Sequence, residues 1–478
     1  MTPKIGWVVG AFVGRTRELL SLERQLGRVK TAGADAPGKA VFVRGRRRVG
    51  KSRLIEEFCT QSGCAYVFFA ASKAGPNELG LFAEEIAQSN LPGRALFAGS
   101  NPSTWDAALR LLAATLDPTA PTIVVFDEFP YLVDEDSGIE GTFQKHWDQL
   151  LSKKPVLLLL IGSDLAMMEA LNTHSRPLYQ RGVDMIVPPL SPVETAAIVG
   201  SPTADDSFDA YLLTGGLPLI CNDWPSGLSM WDYLAAVLDE PTSPFIVSAE
   251  RVLAAEFPVD AQARVVLGQI GAGEVTFSKI ARAAGGLQKA SANRSLELLL
   301  KKRIIAKDKP LSTTTSSDPR YRVADPYLRF WLRFIGPHMA EIERGRGDRV
   351  LDRIRGDWMA WRGRAIEPVI REALSRLSPI PGLPAAAEVG GFWTRSNNPE
   401  IDIIGADKGP VAGTIAYAGT IKWRDNQPLT QGDMNQLAHD VLAVSGANSD
   451  TPLLAVSRSG VTANGVLALG PDDLIAAW

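Results

Sequence analysis

From about residue 38, short apolar runs alternate with longer amphipathic segments. "AVFVRG" in the 39–45 region, "AYVFFAA" at 65–71, "TIVVFDE" at 122–128 and "PVLLLLIGS" at 155–163 read as strands. Near-continuous apolar strands separated by helical patterns predict a parallel sheet buried on both faces. This α/β pattern, residues 1–195, gives way to helices over 196–250, interrupted by "TGGLPL". Within 251–340, "FSKIARAAG" predicts a short helix. "ASANRSLELLLKKRIIAKD" predicts a longer helix running into a strand. After the loop "LSTTTSSDPR", "YRVAD" supplies a second strand. That is a helix-turn-helix with a two-stranded wing. Residues 341–364 read as an arginine-rich linking helix. Residues 365–478 return to a smaller α/β pattern, led by the helix "WRGRAIEPVIREALSRL".

The first strand runs into "GRRRVGKS", Gly45 to Ser52, which fits G-x-x-x-x-G-K-[ST] at every fixed position. A strand before it and a helix, "SRLIEEF", after it are the context this phosphate loop requires. Backbone N–H groups of Gly45, Arg46, Arg47, Arg48, Val49 and Gly50 can curl around phosphate, and the helix start at Lys51, Ser52 and Arg53 adds a positive field. Lys51 would reach the β- and γ-phosphates of ATP, and Ser52 would ligate Mg²⁺. At the end of a buried strand, "IVVFDEF" places Asp127 and Glu128, two acids that are costly there unless they serve a site. Asp127 would hold Mg²⁺ through water, and Glu128 would polarise the attacking water.

The ordered set "FVGRTREL" (12–19), "GRRRVGKS", "VVFDEFPYL" (124–132), "LLIGSDLAMM" (159–168), "PLYQR" (177–181) and "TGGLPL" (214–219) resembles the archaeal-type ATPase family of the AAA+ and STAND class. The resemblance spans roughly residues 10–335. It implies a P-loop NTPase sheet with a helical lid and a winged helix. Gly14 and Arg15 would lie near the adenine, and Arg47 and Arg48 match the family's Arg-Arg before the second glycine. Ser163 would be the polar sensor, Arg181 an arginine finger or sensor, and Pro218 a lid contact to the base.

Charge refines the picture of the winged helix. The chain's 478 residues carry a net charge of −3, so any polynucleotide site is a local patch. Lys279 to Lys309 holds nine Lys/Arg against Glu297 and Asp308, a local balance of +7. A basic second helix suits a DNA major groove, with Gln288, Lys289, Ser291, Asn293 and Arg294 at its start and Lys301 and Lys302 at its end. A solvated, purely packing winged helix accounts for the same charge. The aromatics of "DPYLRFWLRFI" fall at helical spacing and read as core.

The last segment resembles the PD-(D/E)XK nuclease-like domain often fused to this ATPase family, through Glu367, "PEIDIIG" and "GTIKWR". Such a site needs carboxylates for Mg²⁺ and a lysine for the attacking water. Asp402 and Lys422 are present, but Thr420 stands where an acid is expected, with Glu400 and Glu367 as possible replacements. Three readings stay open: an active nuclease, a degenerate fold kept for DNA or partner contact, and a structural module. The degenerate reading carries most weight, because a hydroxyl is a poor Mg²⁺ ligand without carboxylate company.

Hydrophobic residues at 45% and charged residues at 22% describe a globular chain. Cys59, Cys64 and Cys221 lack zinc spacing and are too few for a disulfide framework, and His146, His174, His338 and His439 are scattered. The N-terminal stretch lacks a secretory layout, and "PVLLLLIG" is far short of the ~18 apolar residues of a bilayer span. A cytoplasmic protein without membrane contact is expected. The leading expectation is an ATP-hydrolysing, DNA-associated machine, with homo-oligomers allowed by an arginine finger. The alternatives are a STAND-type switch binding protein partners and a scaffold stabilised by ATP.

Overall fold

A computed structural model describes residues 12–31, 38–72, 77–258, 261–316 and 318–478. The N-terminal stretch read for a leader, residues 1–11, lies outside them. The chain divides into one unit ending at Pro189 and a second beginning at Leu190.

In the first unit, β1 (Lys39–Arg44), β2 (Ala65–Ala70), β3 (Thr122–Asp127), β4 (Val156–Gly162) and β5 (Val183–Ile186) form a parallel sheet in the order β2-β3-β4-β1-β5. Every residue of β3 and β4 is buried, as their unbroken apolar runs predict. The pattern reading did not mark β5. It is four residues long, and only Met185 is buried, so no apolar run announces it. Aromatic rings fill one side of the sheet, with Phe126 stacked on Phe82 and edge-on to Phe143.

The second unit opens with helices over 192–256. It continues as Gln262–Ala272, Phe277–Ala283 and Lys289–Lys301, followed by the antiparallel pair β6 (Ile305–Asp308) and β7 (Arg320–Val323). This is the expected winged helix. The aromatics of 325–335 are core, with Phe330 and Ile335 fully buried.

The linking helix and the helix around Glu367 are one continuous element, Gly347–Leu377. Its buried positions, among them Val350, Ile354, Trp358, Arg362, Ala365, Val369 and Ala373, keep three- and four-residue spacing across the expected boundary at 364/365. Pro368 sits inside it and offers no N–H to the carbonyl of Arg364. Arg329 Nη1 donates to that carbonyl at 3.2 Å, so the freed acceptor is satisfied.

The last domain is a mixed sheet of β8 (Glu388–Trp393), β9 (Glu400–Ala406), β10 (Ile415–Lys422), β11 (Leu453–Ser457) and β12 (Leu467–Leu469), ordered β12-β11-β10-β9-β8. β8, β9 and β10 pair antiparallel, while β10, β11 and β12 pair parallel. Apolar residues of the long helix pack with Ile403, Tyr417 and Ile421 in one core. Those of the helix Gln431–Val441 pack with Ile404 and Ala418 in another. No helix among the described residues is long and apolar enough to cross a membrane.

Candidate functional site

The phosphate loop joins β1 to the helix Lys51–Ser62. Its backbone needs two left-handed positions, Arg48 (φ 68°) and Gly50 (φ 86°), and glycine adopts that conformation without steric cost. At Gly45 a Cβ would lie 2.5 Å from the Val187 carbonyl oxygen, so only glycine fits. Lys51 is buried, and its Nζ donates to the carbonyls of Gly45 (3.0 Å) and Arg46 (3.1 Å). Burial lowers its pKa, while Glu128 and Asp127 oppose the shift.

Ser52 Oγ donates to Asp127 Oδ2 at 2.5 Å, and Glu128 N donates to Asp127 Oδ1 at 2.9 Å. Burial pushes the Asp127 carboxyl up, against the Ser52 hydrogen bond. A hydroxyl and a carboxylate oxygen held side by side are hard donors that suit Mg²⁺. Glu128 has φ 51° and starts the helix Phe129–Glu135. Its Oε2 accepts from Ser163 N (3.2 Å) and Ser163 Oγ (2.9 Å). Ser163 follows β4, which lies between β1 and β3, and so stands between the loop and the acidic pair.

The first unit has the sheet order and phosphate loop of the P-loop NTPase fold. With its ordered motif set it resembles the archaeal-type ATPases. Residues 331–437 match the family DUF234, described as archaea bacterial proteins of unknown function. An uncharacterized protein of Methanocaldococcus jannaschii is 24% identical over 434 residues, covering 90% of this chain and 91% of the relative. Among solved structures, the Walker-type ATPase of Pyrococcus abyssi is 18% identical over 67% of this chain and 96% of its own, with a TM-score of 0.47. The ORC2 protein of Aeropyrum pernix, in ADPNP–ADP complexes, is 13% identical over 73% of this chain and 98% of its own, with a TM-score of 0.44.

The other expected residues take varied positions. Gly14 (φ 75°) and Arg15 (φ 61°) form a left-handed turn. The Arg15 guanidinium is buried and donates to the carbonyls of Pro188 (2.6 Å) and Val49 (2.7 Å), which braces the phosphate loop from behind. Arg47 Nη2 donates to Tyr131 Oη at 2.8 Å. Arg53 turns along its own helix to Glu57, 3.3 Å away. Arg181 is held by both oxygens of Asp148, at 2.9 and 2.8 Å. In the second unit, Pro218 begins a short helix after Gly215 and Gly216. The brace made by Arg15 and the Arg181–Asp148 pair were not foreseen; both are long-range contacts with no local sequence signal.

In the C-terminal domain, Asp402 Oδ2 accepts from Thr420 Oγ1 (3.0 Å) and Ile421 N (2.8 Å). Arg371 links the neighbouring groups, donating to the Asp402 carbonyl (2.8 Å) and to Glu367 (3.1 Å). Burial raises the Glu367 pKa to about 6, opposed by Arg371. Glu400 is taken by Arg320 of β7 at 2.5 Å, and Lys422 reaches toward Asp433 at 3.9 Å. Among the described residues no group of three His, Cys, Asp or Glu is arranged to hold a metal ion.

On the winged helix, Lys289, Asn293, Arg294 and Lys301 share the exposed face of Lys289–Lys301, while Ala292, Ser295, Leu296 and Leu299 are buried behind it. Lys302 lies over the Phe257 ring at 5.6 Å. The wing is docked on the C-terminal domain. Leu311 N donates to Gly391 O (2.9 Å), Thr313 N to Ser445 O (3.1 Å), and Arg320 lies 4.3 Å over the Trp393 ring.

Proposed function

We propose that this chain binds and hydrolyses ATP with Mg²⁺, couples that cycle to DNA through its winged helix, and carries a nuclease-like domain that does not cleave. The observation that carries the reading is the convergence of Lys51, Ser52, Asp127 and Glu128 at the ends of β1 and β3. Lys51 would exchange its two loop carbonyls for β- and γ-phosphate oxygens. Ser52 and Asp127 would hold Mg²⁺, which when bound neutralises charge on the transferring phosphoryl group. Glu128 would orient and polarise the attacking water. Gly14 and the Arg15 backbone are proposed to border the base, and Arg181 to act once it leaves Asp148.

DNA contact is supported by the exposed basic face around Lys289 and Arg294. Loss of cleavage is supported by the Thr420 hydroxyl, which satisfies Asp402 where an acid would need a metal between the two charges.

A STAND-type switch binding protein partners is the second reading. The docked wing favours it, because a surface that could meet DNA is used inside the chain. ATP hydrolysis, measured with and without duplex DNA at low and moderate salt, separates the two. Stimulation that fades with salt supports the DNA-coupled ATPase. Nucleotide retention with no response to DNA supports the switch. Unaltered nucleotide affinity in Lys51→Ala would sink the phosphate-site assignment.

A further inference from the structure

Apart from the phosphate loop, the second unit carries an open cleft of about 780 Å³. Its walls come from the helices Pro244–Glu256, Gln262–Ala272 and Gly347–Leu377, and from a π-helical turn, Trp331–Ile335. Single π-turns inside helical segments recur at functional sites. The volume lies within the roughly 300–1,000 Å³ usual for small-molecule pockets.

The lining carries three arginines, Arg264, Arg333 and Arg353, against Glu250 and Asp357. Arg353 is itself paired with Glu341 at 2.7 Å. Arg264 pairs with Glu250 through Nη2, but its Nη1 is buried with no hydrogen-bond partner. A buried orphan donor is costly unless an acceptor meets it. Arg333 meets Asp357 at 2.7 Å, and more than half of the Asp357 side chain is exposed, so the pair is weakly held. Trp331, Leu332 and Phe334 supply an apolar wall beside the guanidinium groups.

Two glycines border the cleft. Gly268 and Gly356 lie inside helices, where glycine weakens the helix relative to alanine. Packing explains Gly271, where a Cβ would lie 2.4 Å from the Leu332 side chain. No such contact explains Gly268 or Gly356. A Cβ at either meets nothing within 4 Å, and both line the cavity. A larger side chain at either position would project into open space along the cleft.

We propose that this cavity is a second ligand site, taking an organic phosphate of nucleotide size. Guanidinium groups match phosphate oxygens in pairs. The apolar wall and the volume suit an organic body larger than an inorganic ion.

The test is calorimetric titration of the full chain carrying Lys51→Ala, which silences the phosphate loop, with AMP, inorganic phosphate and citrate as probes. AMP is expected to bind. Arg264→Met and Gly356→Leu are each expected to weaken it at least tenfold, with thermal melts confirming that both variants fold. Gly363→Leu, in the same helix with open space around it but outside the cavity lining, is expected to change nothing. Binding of phosphate or citrate with AMP excluded would overturn the assigned ligand class. Absence of binding by all three probes, or AMP binding indifferent to both cavity variants, would overturn the site.

Discussion

The Glu128 carboxylate is held by Ser163, whose backbone N–H and hydroxyl both donate to Oε2 at 3.2 and 2.9 Å. The residue proposed to activate water is thus aimed by the residue expected to sense phosphate. Glu128→Gln should leave ATP binding intact and lower kcat by roughly 10²–10⁴-fold, the range for a lost general base. Ser163→Ala removes one of the two hydrogen bonds. It should lower kcat by about fivefold with KM little changed, since a net hydrogen bond contributes about 1 kcal/mol. A higher kcat in Ser163→Ala would instead mean that the serine restrains Glu128.

Thr420 donates to Asp402, so an acid at 420 would set two carboxylates against each other. Thr420→Asp should destabilise the chain by about 1–3 kcal/mol in the absence of divalent cations. Mn²⁺ should restore the melting temperature of the variant and leave that of the wild type unchanged. Equal responses to Mn²⁺ would show that the acid at 420 does not rebuild a metal position.

The exposed basic face predicts salt-sensitive DNA binding. Lys289→Ala and Arg294→Ala should each weaken duplex binding at every sequence tested. Each should reduce the slope of log affinity against log salt by about one. Arg320→Ala should leave that slope alone, because Arg320 is committed to Glu400 and Trp393. A slope that follows Arg320 and ignores Lys289 would move the DNA contact to the wing.

Glu367 carries a pH signature. Its folded pKa, raised by burial to about 6, lies above the ordinary 4.5, so the folded state holds the proton more tightly than the unfolded chain. Its contribution is most favourable below pH 4.5 and is lost as pH rises to about 6. Glu367→Gln should therefore be more stable relative to wild type at pH 7.5 than at pH 4.5, by about 1–2 kcal/mol. Denaturant melts at the two pH values check this; a difference of the opposite sign would mean that pairing with Arg371 outweighs burial.

The phosphate loop and the acidic pair were legible in sequence because their chemistry is local. A strand, a glycine turn and a helix start lie within eight adjacent residues, and backbone geometry does the rest. The winged helix was legible for the same reason, its apolar spacing and its turns being contiguous. The unbroken helix Gly347–Leu377 was only half legible. Its arginines and Pro368 suggest a boundary, while its apolar stripe and the distant Arg329 carry it across. Tertiary structure alone decided that Ser163 grips Glu128, that Arg320 of the wing takes Glu400, and that Thr420 satisfies Asp402. Those partners lie 35, 80 and 18 residues apart. Periodicity and turn chemistry report what a segment does with its own backbone and with water. Which charge meets which is set by packing between segments, where burial makes an unmet polar group costly and selects its partner.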